Sequence, residues 1–250
     1  MAKFVVNLTW EDAPHLSEND KKELLASYSP HERDARSKGI PQLGAGAIYP
    51  VVEGDIVVEA FKIPDHWPRA YALDVGWNKT AALWGAYDAK SDIWYLYSEY
   101  YKGQAEPSTH VNAIQARGAW MSGVIDCHSK GRGQAHGEQL SVLYENLGLR
   151  LGLALNGPGT LEPSILETFQ RLVSGRLKVF SHLYNWLSEF RVYRRDKNGK
   201  IVDENDHLMD CTRFLITSGH LVMDVPPEED ADDAKITRPY YQGQSPVCGY

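Results

Sequence analysis

From residue 69 onward, the order of strand-like and helix-like segments limits the possible folds more than any other feature of this sequence. Three runs rich in β-branched, aromatic and small apolar residues follow one another at 69–75, 80–87 and 93–100, and turn sequences separate them. This spacing predicts three consecutive antiparallel strands. Helix-like and strand-like segments then alternate, which favours parallel strands. We therefore predict an α/β protein with a mixed sheet and helices on both faces.

The segments around this meander complete the predicted order. Before it, the runs 47–52 and 56–63 are strand-like, and Ser17 to Asp20 can cap a helix over 21–28. An Asn-Gly turn near residue 198 predicts a hairpin. The remaining predicted strands are 123–127, 149–155 and 177–180, and the remaining predicted helices are 107–121, 138–147, 162–173, 183–194 and 206–217.

Two aspartates lie in or at the end of apolar strand-like runs. Asp74 follows Ala72-Leu73, and Asp126 follows Val124-Ile125. A buried carboxylate is costly unless a cation or hydrogen-bond donors compensate it. If the two strands pair in parallel, Asp74 and Asp126 become neighbours. The plainer interpretations are a turn residue for Asp74, before Gly76, and an isolated buried acid for Asp126.

A third acidic position opens the last predicted helix. Asp206 begins it and Asp210 follows one turn later on the same face. Three converging carboxylates repel one another, and hard oxygen ligands suit Mg²⁺ or Mn²⁺. We therefore predict that Asp74, Asp126 and Asp206 form a catalytic site with two metal ions. Asp206 is also compatible with a helix-dipole role, and Asp210 either ligates metal or pairs with Arg213.

The net charge is −7, but its distribution is uneven. Residues 224–235 carry −5, so the rest of the chain carries only −2. A local basic patch is what meets phosphates. The candidates for DNA binding or support of the site are Lys130, Arg132, Arg194, Arg195, Lys197 and His207, and each is also compatible with an ordinary solvated surface.

Zinc sites and membrane insertion are not favoured. The three cysteines show no CxxC or CxxH spacing. No stretch approaches the roughly 18 uninterrupted apolar residues of a membrane span, and the first residues are too poor in apolar side chains for a signal peptide. We expect the protein to remain in a cytoplasm.

Several motifs together resemble the large terminase subunit of tailed double-stranded DNA phages. Residues 73–76 (LDVG) and 206–214 (DHLMDCTRF) are similar to the first and last nuclease motifs of that family. The resemblance spans roughly residues 8 to 217. Three runs resemble the junction between its ATPase and nuclease halves, namely 9–16 (TWEDAPHL), 30–41 (PHERDARSKGIP) and 44–50 (GAGAIYP).

This resemblance implies a ribonuclease H-like endonuclease that cuts concatemeric viral double-stranded DNA during genome packaging with Mg²⁺ or Mn²⁺. It assigns metal ligation to Asp74, Asp126 and the helix from Asp206 to Asp210. The family often has two acidic residues where this chain has Asn205-Asp206, so whether Asp206 or Asp210 completes the site stays open. The portal and the small terminase subunit are the implied partners, and the host cytoplasm is the implied location.

The predicted organisation has three parts. Residues 1–60 are a lead-in from a missing ATPase domain, residues 61–222 are the ribonuclease H-like nuclease domain, and residues 223–250 are an acidic flexible tail. No GxxxxGK[ST] phosphate loop occurs in the sequence, so we expect no ATP hydrolysis.

Three other functions fit part of the pattern. Residues 74–80 also match the DxGxxxT turn of actin-like kinases, but the two further glycine-rich loops of those enzymes are not visible. A resolvase-like or transposase-like nuclease would share the fold and the chemistry. A non-catalytic DNA-binding packaging module would share only the fold. Divalent-dependent nicking of DNA separates the first and third from a nuclease.

Overall fold

The structure is a computed structural model that describes residues 9–10, 16–27, 37, 46–126, 135–196 and 198–227. Within 135–196, side chains are described from residue 140 onward. A seven-stranded sheet in the order β1-β7-β4-β3-β2-β5-β6 forms its centre. The strands are β1 Val57–Val58, β2 Arg69–Asp74, β3 Thr80–Asp88, β4 Ile93–Lys102, β5 Ser122–Ile125, β6 Arg150–Leu153 and β7 Leu177–Phe180. The helices are α1 Glu18–Ser27, α2 Glu53–Ile56, α3 Pro107–Gln115, α4 Ala135–Asn146, α5 Leu161–Val173, α6 Tyr184–Val192 and α7 His207–Ser218.

The predicted meander is confirmed. Strands β2 and β3 pair antiparallel from Arg69 opposite Ala86 to Asp74 opposite Ala81. Strands β3 and β4 also pair antiparallel, with a register shift at Trp84 and Gly85. The first seven residues of β3 are all buried, because this strand is central and covered on both faces.

The remaining pairings are parallel. Strand β5 pairs with β2 in a register that sets Leu73 opposite Ile125, and β6 continues that side of the sheet. On the other side, β7 pairs with β4 and β1 with β7. Since Asp74 and Asp126 each follow the paired residues Leu73 and Ile125, they leave the sheet at the same end. The Asp126 amide donates to the Leu73 carbonyl at 3.4 Å.

Helices cover both faces of the sheet, as predicted. Successive residues of β2 point to opposite faces: Ala72 belongs to the larger core cluster, which includes Leu208 and Phe214 of α7. Tyr71 belongs to a second cluster, which includes Ile114 of α3 and Tyr144 of α4. Helix α7 packs directly on β2 and β3, and α5 and α6 pack on α7.

Before the meander, the predicted strand 47–52 is wrong and the predicted strand 56–63 is much shorter than expected. In the run 47–52 only Ala47 forms a bridge, to Arg194, because Pro50 has no N–H to donate and the chain turns into α2 at Glu53. In the run 56–63 only Val57–Val58 pairs with β7. Strand β7 itself has only four residues, so it offers little length for a partner.

One helix ends earlier than predicted. The periodic pattern predicts a helix from Pro107 to Met121, whereas α3 ends at Gln115. The backbone then reaches Gly118 with φ of +131°, a conformation that the α-helix does not contain and that favours glycine. The apolar side chain of Met121 still reaches the core, which is why the sequence pattern continued past the true end.

The predicted boundaries at residues 60 and 223 stay predictions. Residues before the first boundary join the core, since Ile48, Tyr49 and Ile56 are buried there. After the second boundary, Asp224 pairs with Arg69 through two backbone hydrogen bonds of 2.7 and 3.0 Å. Among the residues that the structure describes, no helix has the length and apolar character to cross a membrane.

One carboxylate ties the turn between β3 and β4 to helix α5 and to the segment before β7. Asp92 accepts hydrogen bonds from the Tyr87 hydroxyl at 3.0 Å, from Arg171 at 3.0 Å and from Arg176 at 2.9 Å. The bond from Arg171 is the main reason that the pKa of Asp92 falls to about 2. Asp92 has φ of +54°, a left-handed conformation that asparagine also tolerates.

We expect Asp92→Asn to lower the free energy of unfolding by about 1 kcal/mol at pH 7, a modest value because the side chain is 42% exposed and solvent screens the pairs. A lowered folded-state pKa contributes stability above the unfolded pKa near 3.8 and loses it as the pH falls to about 2. Urea unfolding of both proteins across this range measures the difference. A gap that stays constant from pH 7 down to pH 3 contradicts the assignment.

Candidate active site

Five aspartates line one cavity at the end of the sheet where β2 and β5 finish. The cavity has a volume of about 720 Å³. Its acidic lining consists of Asp74, Asp126, Asp206 and Asp210, the four predicted metal ligands, together with Asp203. Asp126 and Asp206 are only 8% and 7% exposed. Charges this poorly hydrated require compensation, so a cation is the natural partner of the cavity.

Three elements bring these side chains together. Asp74 ends β2, and Asp126 directly follows β5 in the parallel register described above. Asp206 occupies the N-cap position of α7, and Asp210 lies one turn later, with its amide bonded to the Asp206 carbonyl at 2.8 Å. Helix α7 packs on β2, so its N-terminus lies over the end of the strand that carries Asp74.

The residues fit a hard divalent ion by ligand type and by location. In the described part of the chain, however, no group of three or more His, Cys, Asp or Glu side chains is arranged to hold a metal ion. Two of the carboxylates instead face basic side chains: Asp74 contacts His207 and Asp210 contacts Arg213. Ligation of one ion by three of them therefore requires side-chain rotations from these positions.

His207, a predicted support residue, binds the first of the aspartates. Its Nδ1 lies 2.8 Å from Oδ2 of Asp74. This hydrogen bond raises the pKa of His207 although partial burial opposes the change. The imidazole is therefore protonated more readily beside Asp74 than a free imidazole is.

Asp210 binds a buried arginine on its own helix. Oδ1 of Asp210 accepts a hydrogen bond from Nη2 of Arg213 at 2.5 Å, and Nη1 of Arg213 donates to the Ser164 hydroxyl at 3.0 Å. The Arg213 side chain is only 4% exposed. The pairing considered from the sequence is therefore present.

The turn between β2 and β3 also lines the cavity. Trp77 is 68% exposed there, while its carbonyl accepts a hydrogen bond from the Gln104 amide at 2.8 Å. A Cβ on Gly103 would lie 2.0 Å from the Asn78 carbonyl oxygen, so only glycine permits this close packing. Lys79 lies 4.2 Å from the centre of the Tyr101 ring. The turn therefore presents an aromatic and a cationic side chain from a firmly held backbone.

Sequence reasoning missed several lining residues. Trp77 and Lys79 follow Asp74 closely in the chain, and this nearness could have predicted that they line the same cavity. His110, bonded to the Tyr100 hydroxyl at 2.9 Å, and Asp203 gave none, because only the tertiary fold brings their segments to the cavity.

The predicted basic residues differ in their surroundings. Lys130, Arg132 and Lys197 lie outside the described residues. Arg194 forms the bridge to Ala47. Arg195 makes two hydrogen bonds to Glu162, at 2.6 and 2.9 Å, and it lines a second cavity with Lys200 that shares Asp203, Asp206 and Asp210 with the first.

Comparison with known proteins identifies relatives. Residues 2–53 match the family described as "Terminase large subunit, T4likevirus-type, N-terminal". The large terminase subunit of Salmonella phage P22 is 36% identical over 222 residues, which cover 84% of this chain and 43% of that protein. The chain thus spans less than half the length of this relative.

Solved structures confirm the ribonuclease H-like fold predicted above. The large terminase nuclease domain of P22 superposes with a TM-score of 0.64 at 30% identity, covering 72% of this chain and 95% of the domain. The large terminase nuclease of the thermophilic phage G20c, solved with bound magnesium, superposes with a TM-score of 0.50 at 14% identity. This match covers 70% of this chain and 99% of the G20c chain. This chain therefore belongs to the large terminase subunit family of tailed double-stranded DNA phages and contains its C-terminal nuclease domain.

Proposed function

We propose that this domain hydrolyses phosphodiester bonds of double-stranded DNA with a divalent metal and cuts concatemeric viral DNA during genome packaging. The observation that carries the proposal is the convergence of Asp74, Asp126 and Asp206 on one cavity. These carboxylates come from two parallel strands and a helix N-terminus that are far apart in sequence. Such a concentration of negative charge disfavours the folded state unless it is compensated, and this cost points to a ligand of opposite charge.

We assign the ligands as follows. Asp74, Asp126 and Asp206 would hold the ions, since all three line the cavity. Asp210 would support the site, because its carboxylate holds Arg213. Two Mg²⁺ or Mn²⁺ ions, when bound, would activate the attacking water and stabilise the leaving oxygen. The G20c nuclease, solved with bound magnesium, supports the choice of a divalent ion for this fold.

The surroundings of the cavity suit a DNA backbone. Arg195 and Lys200 line the adjoining cavity, and Lys79 lines the candidate site itself. Phosphate contacts of this kind position DNA without reading its sequence. The acidic cavity itself repels phosphate, so we infer that productive DNA binding requires the metal. We also propose DNA-backbone contacts for Lys130, Arg132, Arg194 and Lys197, of which only Arg194 is among the described residues.

The wider context rests on family membership. We propose double-stranded viral DNA as the substrate, the portal and the small terminase subunit as partners, and the host cytoplasm as the location. Since the chain spans less than half of the P22 protein, these partners concern the whole subunit, and this domain is proposed to supply the cutting step.

Plasmid nicking tests the function directly. We expect conversion of supercoiled plasmid to nicked and linear forms with Mg²⁺ or Mn²⁺, and no conversion in EDTA. Cleavage should tolerate many sequences and fall steeply with added salt, because backbone contacts release counterions. Absence of cleavage with both metals would favour a non-catalytic packaging module. Strong preference for four-way junctions over linear duplex would favour a resolvase-like enzyme.

A further inference from the structure

Glu189 is a buried carboxylate behind the candidate site. It lies on α6, is 3% exposed, and is not among the described residues that line the cavity. Oε1 accepts a hydrogen bond from the Tyr101 hydroxyl at 2.5 Å, and Oε2 accepts one from the Leu208 amide at 2.6 Å. Burial raises the pKa of Glu189, and the bonds from Tyr101 and from the first-turn amides of α7 partly offset this. The side chain therefore ties α6, β4 and α7 together.

Glu189 accepts a hydrogen bond from the Leu208 amide, a donor that the N-cap residue of a helix normally binds. Leu208 is the second residue of α7, and its N–H has no partner within the helix. An aspartate at the N-cap position ordinarily accepts such a bond with its own carboxylate. Asp206 occupies that position but makes no capping hydrogen bond to this first turn, whose residues are all described. Glu189 performs the capping from a different helix.

We propose that Glu189 is a positioning residue for the metal site: it caps α7 in place of Asp206, so that the Asp206 carboxylate remains directed to the cavity. Tyr101 fixes the second oxygen of Glu189 and so holds its orientation. The inference rests on the proposed function in one respect, namely that Asp206 binds metal. The capping of α7 by Glu189 instead of Asp206, which we call the exchange of caps, is a property of the fold and can be tested without metal.

The physical consequence of losing Glu189 follows from helix capping. The first-turn amides of α7 would be left without their acceptor in a buried environment, which is costly. Asp206 lies two residues before Leu208 and already occupies the N-cap position. It would turn to accept the amide bond and leave the cavity. A residue outside the site would thus weaken metal binding without touching the metal.

Calorimetric titration of Mn²⁺ into the DNA-free protein is the first test. We expect Glu189→Ala to weaken Mn²⁺ binding by about 10- to 100-fold, the usual effect of losing a support for a metal ligand. Glu189→Gln keeps an oxygen acceptor for the Leu208 amide, so it should bind within about 3-fold of wild type. Tyr101→Phe, which loosens Glu189 but leaves it in place, should give an intermediate loss and serves as the test if Glu189→Ala does not fold.

Glu99 provides the matched control. It is a carboxylate on β4 that caps α6. It accepts hydrogen bonds from the amides of Asn185 at 2.9 Å and Trp186 at 2.8 Å. Glu99→Ala removes the same kind of bond from the first turn of α6, one turn before Glu189, and it does not remove the bonds that hold Glu189 to Tyr101 and to the Leu208 amide. We expect a comparable loss of thermal stability with Mn²⁺ affinity unchanged. If Glu99→Ala weakens Mn²⁺ binding as much as Glu189→Ala does, the effect is general destabilisation and the proposal is wrong.

A second, metal-free test separates this inference from the proposed function. Asp206→Ala should lower the melting temperature more in the Glu189→Ala background than in wild type, because only there does Asp206 cap its helix. Additive effects would overturn the exchange of caps even if DNA cleavage is observed. Conversely, failure of the wild-type protein to bind Mn²⁺, with the coupling present, would contradict the proposed function and leave the capping assignment standing.

Discussion

Replacing Asp74 with Asn reduces DNA cleavage by at least about 10³-fold on our assignment, because a group that stabilises transition-state charge in an active site contributes on this scale. Asparagine has the same shape but no charge, so it is a poor ligand for a divalent ion. It can still hydrogen-bond His207, which now lies 2.8 Å from Asp74. Loss of one of several mutually repelling carboxylates should leave the melting temperature within about 4 °C of wild type.

Asp88→Asn is the control for this substitution. Asp88 ends β3, eight residues from the site end of that strand, or about 26 Å away. The Asp88→Asn substitution removes the same charge from the same sheet as Asp74→Asn does. We expect this variant to nick DNA at the wild-type rate. Timed plasmid nicking under single-turnover conditions measures both variants. If Asp74→Asn nicks as fast as Asp88→Asn, the metal site proposed here does not exist.

Replacing Arg213 with Met has the largest expected effect on stability, a loss of about 3–5 kcal/mol in the free energy of unfolding. Arg213 is buried and pairs with Asp210 at 2.5 Å. Methionine fills a similar volume, but it leaves the Asp210 carboxylate without this partner beside an already acidic cavity. The bond from Arg213 to Ser164 of α5 is lost as well.

The double variant Asp210→Asn, Arg213→Met identifies the cause of that loss. If the uncompensated carboxylate is responsible, neutralising it should restore more than half of the lost stability. Urea unfolding in EDTA at pH 7 gives the free energies for both single variants and the double one. A double variant no more stable than Arg213→Met would show that packing of the arginine, rather than its charge, stabilises α7.

Residue patterns predicted the central sheet well. Strands β2, β3 and β4 were predictable because each is apolar over its length and bounded by turn residues. Strand β7, at Leu177–Phe180, agrees with its predicted bounds. The two strands predicted before residue 64 were largely wrong. Their apolar residues face the core as irregular segments, and burial produces the same residue types in a packed loop as in a strand.

The candidate site was predictable only where it depended on strand order. Asp74 and Asp126 were expected to meet because parallel strands present their carboxyl ends at one edge, and the pairing of β2 with β5 brings them there. Helical spacing similarly indicated that Asp210 follows Asp206 on one face. Trp77, Lys79 and His110 line the same cavity, yet the local pattern assigned them no role.

The amino-acid sequence by itself determined the class of fold, the placement of carboxylates at the ends of core strands and membership of a family, because periodicity, turn residues and motifs are local and need no knowledge of contacts. Only the tertiary structure decided which charges neutralise which. His207 beside Asp74, Arg213 beside Asp210 and Glu189 capping the helix of Asp206 join residues through side-chain orientation and burial, and both depend on how whole elements pack against one another.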